Sequence, residues 1–589
     1  MTAFARDAIG HDVSSPAVSI ERVRDLIHRL TAPDGPFEVS QRTVADQTYR
    51  AFTHAAPTLV DVLEAGRSHG TADFLVFDDQ RWSFVQFFAT ADAVASALQH
   101  DYGVRPGDRV AIAMRNCADW LIVFTAAALV GAVAVPLNSW GSIEELDFTL
   151  RNCGASVLAA DRTRTALALK TVEDQNIPVL FSGVDGPLNE LPHAATRGLR
   201  LQPINDIVRD PGRGYLPAPP SPEDVAMLLY TSGSTGSPKG VIYRQIAIGQ
   251  ALMNMFFTGV LTVELGGGVA LRGGATAEAP LLTIPLFHAA GLFSGFLVPC
   301  VVGQKVALLR KWDPETALQL IEAERITSVS TVPAILKDLL THPRFDEYDL
   351  SSVSRVAAVG AATPADLPDL IREKFGVISR STGYGMTETT ALGATMSGPV
   401  FDLNPTASGL LSPIIELRVV DTTSKVSSSA SYEGELQLRG VTVTPGYWQL
   451  DELTRDAFTV DGWFRTGDLG RLDEDGFLHI TGRSKEIVIR GGENIAPVEI
   501  ENVAYRHAAV KEVAVFGVPD DAMGEELVLV YYENPWSTTL TEGQLRSLLN
   551  AHLPAFKVPK YIRLSEQPLP RNASEKIHRA AVRSEFLRE

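Results

Sequence analysis

The chain has 589 residues, 45% of them hydrophobic and 21% charged, enough for more than one buried core, on the scale of one large and one small domain. Its formal net charge of −18, with both signs mixed along the sequence, excludes a broad cationic face for nucleic acid or anionic lipid, so any phosphate must be held locally. Three scattered cysteines, Cys117, Cys153 and Cys300, form neither a disulfide framework nor a zinc cluster and fit a reducing, cytoplasmic setting.

Met1 to Ser15 carries Arg6, Asp7, His11 and Asp12 and lacks the apolar core of a secretory signal, so no export is expected. The longest apolar run, Trp120 to Leu137, approaches the length of a membrane span, but Gly131 and Pro136 interrupt it. It reads as a buried helix ending at Gly131 and a short core strand, Ala132 to Pro136, and no transmembrane segment is expected. Pro211 to Pro222, with five prolines, reads as an extended connector into an apolar strand, Val225 to Tyr230. Asp313 before Pro314 opens a helix, and the β-branched run Ile326 to Val332 follows it. Thr363 before Pro364, with Asp366, opens another that runs through Phe375 and closes at Gly376. This alternation predicts an α/β fold of helix-covered, mainly parallel sheets. Arg471 to Ile480, around Asp475-Gly476, predicts a hairpin, and beyond Gly482 a separate small α+β domain is expected.

The chemistry concentrates after the strand Val225 to Tyr230. Thr231-Ser232-Gly233-Ser234-Thr235-Gly236-Ser237-Pro238-Lys239-Gly240 combines glycines that let backbone N–H groups approach oxygen, hydroxyl donors, and one lysine as a point charge for polyphosphate. The spacing of a Walker A loop is absent. Taken alone, such a run is also compatible with a flexible polar surface loop.

That segment resembles the signature of the adenylate-forming superfamily, which includes acyl-CoA synthetases, the adenylation domains of peptide synthetases and firefly luciferase. Further segments match the same family in order: Tyr384-Gly385-Met386-Thr387-Glu388-Thr389, Gly434-Glu435-Leu436, Arg439-Gly440, Gly446-Tyr447-Trp448, Thr466-Gly467-Asp468 and Gly482-Arg483-Ser484-Lys485-Glu486. The wording is most similar to bacterial fatty-acid or aryl-acid CoA ligases. The resemblance implies an N-terminal extension over 1–50, a large domain over 51–482 and a small mobile domain over 483–589 after a hinge at Lys485. It further implies that a carboxylic acid and Mg-ATP give acyl-AMP and pyrophosphate, after which coenzyme A displaces AMP, with ATP, Mg²⁺ and coenzyme A as the cofactors. A homodimer is the default assembly.

The same resemblance assigns roles. Lys239 and the loop residues Thr231, Ser232, Gly233, Ser234, Thr235 and Gly236 would hold ATP phosphates, and Glu388 would ligate Mg²⁺, which suits hard carboxylate oxygens. Thr387 would donate to the α-phosphate. Tyr384 would lie on the adenine, beside Gly385 and the small-residue segment Gly360, Ala361 and Ala362. Asp468 would accept from the ribose hydroxyls, with Arg483 nearby. Lys576 would bridge carboxylate and phosphate during adenylation, offsetting their repulsion. One departure stands out, because the residue before that lysine is usually glycine and here is Glu575; Glu575→Gly is expected to raise the rate of adenylate formation.

For the second half-reaction, Gly491 and Gly492, followed by Glu493 and Asn494, would line the tunnel for the pantetheine arm, although Gly-Gly is equally a tight turn. His288, in Pro285-Leu286-Phe287-His288, with Gly291 and Gly383, would border the acyl pocket, and a histidine on an apolar face is also commonly a satisfied core residue. Small residues (Ala289, Ala290, Gly291, Gly360, Ala361) leave room for an aliphatic chain or an aromatic ring. Two alternatives remain at this point: transfer of the acyl group to an amine or carrier protein, or a nucleotide- or acyl-CoA-binding protein of low turnover.

Overall fold

A short run of buried residues followed by an oxygen-bearing cap is the unit from which the large domain is built. Val157–Asp161 is buried throughout, and its last residue caps the helix Arg162–Gln175 by accepting from Arg164 N. Asp313 caps Pro314–Glu324 in the same way, with proline at the first helical position, and leads to the strand Ser328–Thr331. The computed structural model describes residues 18–191, 198–209, 214–232, 238–267, 278–358, 367–376, 381–420, 426–427, 433–491, 493–507, 509–534, 540–571 and 576–588.

Repetition of this unit gives two sheets. In the first, Arg109–Ala113, Val133–Pro136, Val157–Asp161, Val179–Ser182, Leu201–Pro203 and Val225–Ser232 run parallel, and Pro238–Arg244 closes one edge antiparallel to Val225–Ser232. In the second, Asp73–Phe77, Pro280–Leu282, Val306–Leu308, Ser328–Thr331 and Arg355–Ala358 run parallel with Gln80–Ser83 antiparallel at the edge. Sheets buried on both faces need continuous apolar strands, which Val133–Pro136, Val157–Asp161 and Val306–Leu308 supply at the sheet centres. The helix Ala118–Leu129 is buried along nearly its whole length, Gly131 takes φ +72° to end it, and Val133–Pro136 follows as a core strand, as expected for the 120–137 run.

The chain also contains an eight-stranded antiparallel sheet, of which the sequence displays only the hairpin Phe464–Leu472 to Phe477–Arg483. It includes Ser381–Tyr384, Ala394–Ser397, Gly409–Leu411, Ile415–Val420 and Gly434–Gly440. The N-terminal residues from Ile20 fold onto this region. The helix Ile20–Thr31 and the hairpin Val39–Val44 with Gln47–Phe52 bury Val23, Leu26, Phe37, Val44 and Phe52 against Phe257, Leu261, Met396 and Val400. Each such side chain contributes about 1.5–3 kcal/mol when fully buried.

One helix among the described residues, Gln245 to Gly266, is long and apolar enough to cross a membrane. The structure uses it as a core helix. Gln250 accepts from Phe52 N at 2.7 Å and donates to Phe52 O at 2.9 Å, Gln245 accepts from Leu59 N at 2.8 Å, and Asn254 accepts from Ser412 Oγ at 2.7 Å. Buried amides satisfied on several sides mark a protein interior.

The C-terminal part is α+β. Its five strands pack Pro497–Ala504 and Glu542–His552 on one face and Arg579–Phe586 on the other. It touches the large domain where Lys511 Nζ stands 3.1 Å from Asp338.

Candidate active site

The strand Val225–Ser232 and its antiparallel partner place Thr231 opposite Lys239. Residues 233–237, which include Gly233, Ser234, Thr235 and Gly236, lie outside the described residues, as does the side chain of Ser232. Lys239 Nζ stands 3.1 Å from Glu388 Oε1 and donates to Tyr447 Oη at 2.8 Å, and Tyr447 donates to the same Glu388 oxygen at 3.0 Å. Glu388 is 6% exposed and Tyr447 5%. Burial first, then the neighbouring carboxylate charge, pushes the Tyr447 phenol well above its usual range, so it stays protonated and donates.

This centre is laced together through backbone. Thr444 N donates to Glu388 O at 2.7 Å, Trp448 N donates to Gly240 O at 2.8 Å, and Tyr243 Oη donates to Thr387 O at 2.6 Å. Thr387 opens the short 3₁₀ turn Thr387–Thr389 that holds Glu388 inward. Gly385 is required by close approach, since a Cβ there would stand 2.5 Å from Ala391 O. Thr231 Oγ1, at the mouth of the loop, is buried and has no hydrogen-bond partner among the described residues.

A second centre forms around Asp468, 3% exposed. Tyr384 Oη donates to Oδ2 at 2.8 Å and Arg483 Nε stands 2.9 Å from Oδ1. Burial raises the Asp468 pKa above its ordinary value, with Arg483 opposing. Lys576, carried by the C-terminal domain, lies within electrostatic reach of Arg483 and Asp468. Desolvation of its ammonium and then the Arg483 charge lower its pKa, while Asp468 pulls it back up. A lysine of the C-terminal domain thus lies within electrostatic reach of the Asp468 centre.

The remaining expected residues are dispersed. His288 borders a cavity of about 440 Å³ between the domains, together with Arg115, Trp140, Thr331, Lys511 and Arg571. Gly291 is not on that wall; a Cβ there would stand 2.3 Å from Pro285 O, so its missing side chain lets two backbones pack. Gly383 faces Thr395 across a strand pair and lines no part of the cavity. Lys485 follows the strand Phe477–Arg483. Gly491, φ +59°, sits exposed in the turn between Val488–Arg490 and Glu493–Ile495, where a Cβ would stand 2.7 Å from Met523 Cε. Gly360, Ala361, Ala362, Gly492 and Glu575 lie outside the described residues, and so does the Asn494 side chain. Tyr447 and Tyr243 are the site residues to which sequence reasoning gave no role; the signal for Tyr447 was its place in Gly446-Tyr447-Trp448.

The paired strands bearing Thr231 and Lys239, residues 384–388, the Asp468 hairpin and a second domain bearing Lys576 match the architecture of the adenylate-forming enzymes. The chain belongs to the AMP-binding enzyme family: residues 63–448 match its AMP-binding enzyme domain and residues 499–576 the AMP-binding enzyme C-terminal domain. It is similar to the feruloyl-CoA synthase of Amycolatopsis sp, 33% identical over 489 residues covering 82% of this chain and 90% of that protein. It is also similar to the 3-[(3aS,4S,7aS)-7a-methyl-1,5-dioxo-octahydro-1H-inden-4-yl]propanoyl:CoA ligase of Mycobacterium tuberculosis (strain ATCC 25618 / H37Rv), 33% identical over 527 residues covering 86% and 95%. The crystal structure of ATP-bound MatB from Rhodopseudomonas palustris superposes with a TM-score of 0.75 at 26% identity, over 89% of this chain and 99% of that one.

Proposed function

We propose that this chain is an AMP-forming acid–CoA ligase that adenylates an apolar-bodied carboxylic acid, aryl or fatty, and transfers the acyl group to coenzyme A. The observation that carries the reading is the presence of two lysine centres: Lys239 paired with buried Glu388 in the large domain, and Lys576 of the C-terminal domain within electrostatic reach of Arg483 and Asp468. The aryl or fatty class rests on relatives named for feruloyl and bulky alicyclic acyl groups.

The residues present fit Mg-ATP. No group of three His, Cys, Asp or Glu among the described residues could hold a metal ion by itself, whereas Mg²⁺ is ordinarily held by one or two carboxylates plus phosphate oxygens. Glu388 would be that carboxylate, and Mg²⁺ bound there supplies charge neutralisation at the phosphates. Lys239 is released from Glu388 to the phosphates when they enter, and Tyr447 keeps both side chains in place meanwhile. The Thr231 hydroxyl, without a partner among the described residues, gains a phosphate oxygen as partner.

Asp468 accepts the ribose hydroxyls, sharing oxygens now engaged by Tyr384 and Arg483. The acid's carboxylate then attacks the α-phosphorus, the bond to pyrophosphate breaks, and Lys576 stands between the two anions and stabilises the charge. Rotation at Lys485 withdraws Lys576 and brings Gly491 and Gly492 to the thiol path, where the coenzyme A sulfur displaces AMP from the acyl carbon. The assembly proposed is a homodimer and the location cytoplasmic.

Pyrophosphate release with Mg-ATP across aryl and aliphatic acids, with and without coenzyme A, tests the reading. Acid-dependent release with acyl-CoA formed is expected. Acyl-AMP without acyl-CoA would assign the acyl group to an amine or carrier acceptor instead, and a folded, ATP-binding protein that releases nothing would reject catalysis.

A further inference from the structure

Lys576 has a long flexible side chain, so the position of its ammonium depends on how firmly its backbone is held. The chain leaves the core of the C-terminal domain at Leu569 to Arg571 and returns at Lys576 to Arg579. Arg571 and Ile577 pair as an antiparallel bridge, and His578 N donates to Pro570 O at 2.7 Å. On the outgoing side Glu512, 3% exposed, accepts from Leu569 N and from Arg571 Nη2, each at 2.7 Å. On the returning side Arg579 Nη2 donates to both Glu501 oxygens at 2.9 and 3.0 Å, and another guanidinium nitrogen binds Glu486, the residue after the hinge lysine. Glu501 is also fixed by Val515 N at 2.8 Å. Tyr505 lies within electrostatic reach of Glu501, Glu512 and Arg571, so both pairs share one neighbourhood.

Stability alone does not call for this arrangement. A buried arginine–carboxylate pair is often no more stabilising than an apolar pair of the same volume, and Leu569 and Ile577 already anchor this stretch through the cluster around Val528 and Val582. What a guanidinium fork adds is direction, because its hydrogen bonds are fixed in one plane. We propose that Arg571 and Arg579 are positioning residues for Lys576, two half-buried guanidiniums on either side of it, each paired with a buried carboxylate, that hold its ammonium toward the Asp468 centre. The proposal rests on the reading that Lys576 serves adenylation and not thioester formation.

The test compares the two half-reactions on the full chain: pyrophosphate release from acid and Mg-ATP without coenzyme A, and acyl-CoA formation from supplied acyl-adenylate. Arg571→Met and Arg579→Met are expected to slow the first by about ten- to a hundredfold, the scale of a small misplacement of a reacting group. The second should stay within about twofold of wild type. Because removing one partner of a buried pair can unfold the domain, Arg579→Met is also made with Glu501→Leu, an apolar replacement of both partners. The same split is expected there. Equal loss of both half-reactions, or wild-type adenylation in the folded double variant, overturns the proposal. A wild-type chain that forms no adenylate from any acid overturns the functional reading, and the proposal with it.

Discussion

The two lysine centres differ in how they are made. Lys239, Glu388 and Tyr447 sit within the large domain and satisfy one another at 2.8 to 3.1 Å before any substrate arrives. On the proposed function, the centre of Asp468, Tyr384 and Arg483 serves adenylation only while Lys576 of the C-terminal domain lies within electrostatic reach of it. One centre is preorganised by burial and the other is assembled by domain orientation. On that reading the first gives up internal contacts to bind a nucleotide, whereas the second is taken apart and rebuilt within each catalytic cycle. Substitutions in the first should weaken Mg-ATP binding, and substitutions in the second should separate the half-reactions.

The largest effect is expected at the assembled centre. Lys576→Ala should lower adenylate formation by about a hundred- to a thousandfold, the usual cost of removing a preorganised charge from a transition state, with acyl-CoA formation from supplied acyl-adenylate nearly unchanged. Comparable loss in both halves would show that the lysine acts through folding. At the preorganised centre Tyr447→Phe removes the bridge between Lys239 and Glu388. We expect about a tenfold weaker Mg-ATP affinity by calorimetry, from loss of about 1.4 kcal/mol, within the range of a single intramolecular hydrogen bond. An unchanged affinity would mean that the phenol only fills space.

A pH profile separates the centres further. Desolvation, followed by the Arg483 charge, lowers the Lys576 pKa, so its charged form is present below that value and is lost on the alkaline side earlier than an ordinary lysine's. Pyrophosphate release should therefore fall as pH rises through that depressed value. Lys576→Arg, which keeps its charge, should remove the alkaline limb from whatever activity remains, and a limb that persists would assign it to another group.

The sequence displayed what is local. The apolar strand Val225 to Tyr230, an Asp before Pro314 and the Asp475-Gly476 turn each act over a few residues, and each stands where the pattern placed it. Tyr447 escaped because it meets Glu388 across 59 residues. The eight-stranded sheet escaped for the same reason: Gly409–Leu411 pairs with Phe477 and Leu478, and no turn signal joins them. The helix Gln245–Thr262 is apolar on nearly every face, so it carries no amphipathic period, and composition alone cannot tell such a helix from a membrane span. His288, Gly291 and Gly383 were grouped by family motif, whereas the structure places His288 on the interdomain cavity and Gly291 in a backbone contact.

The smallest expected effect concerns how the assembled centre is held closed. Lys511 and Asp338 are 3.1 Å apart across the domain boundary, with side chains 22% and 42% exposed, on the wall of the cavity that His288 borders. A partly exposed pair is worth no more than about 1 kcal/mol, so it biases the domain orientation without locking it. If the closed orientation is the adenylating one, Lys511→Ala should shift the population away from it, lowering adenylate formation by at most about fivefold at low salt. Thioester formation from supplied acyl-adenylate should hold steady or rise, because less of the protein is held in the other orientation. The difference between variant and wild type should shrink as salt is raised, since screening weakens the intact pair. If both half-reactions in Lys511→Ala match wild type at low salt, this ion pair does not set the domain orientation, and the Asp468 centre is less easily dismantled than the Lys511–Asp338 contact suggests.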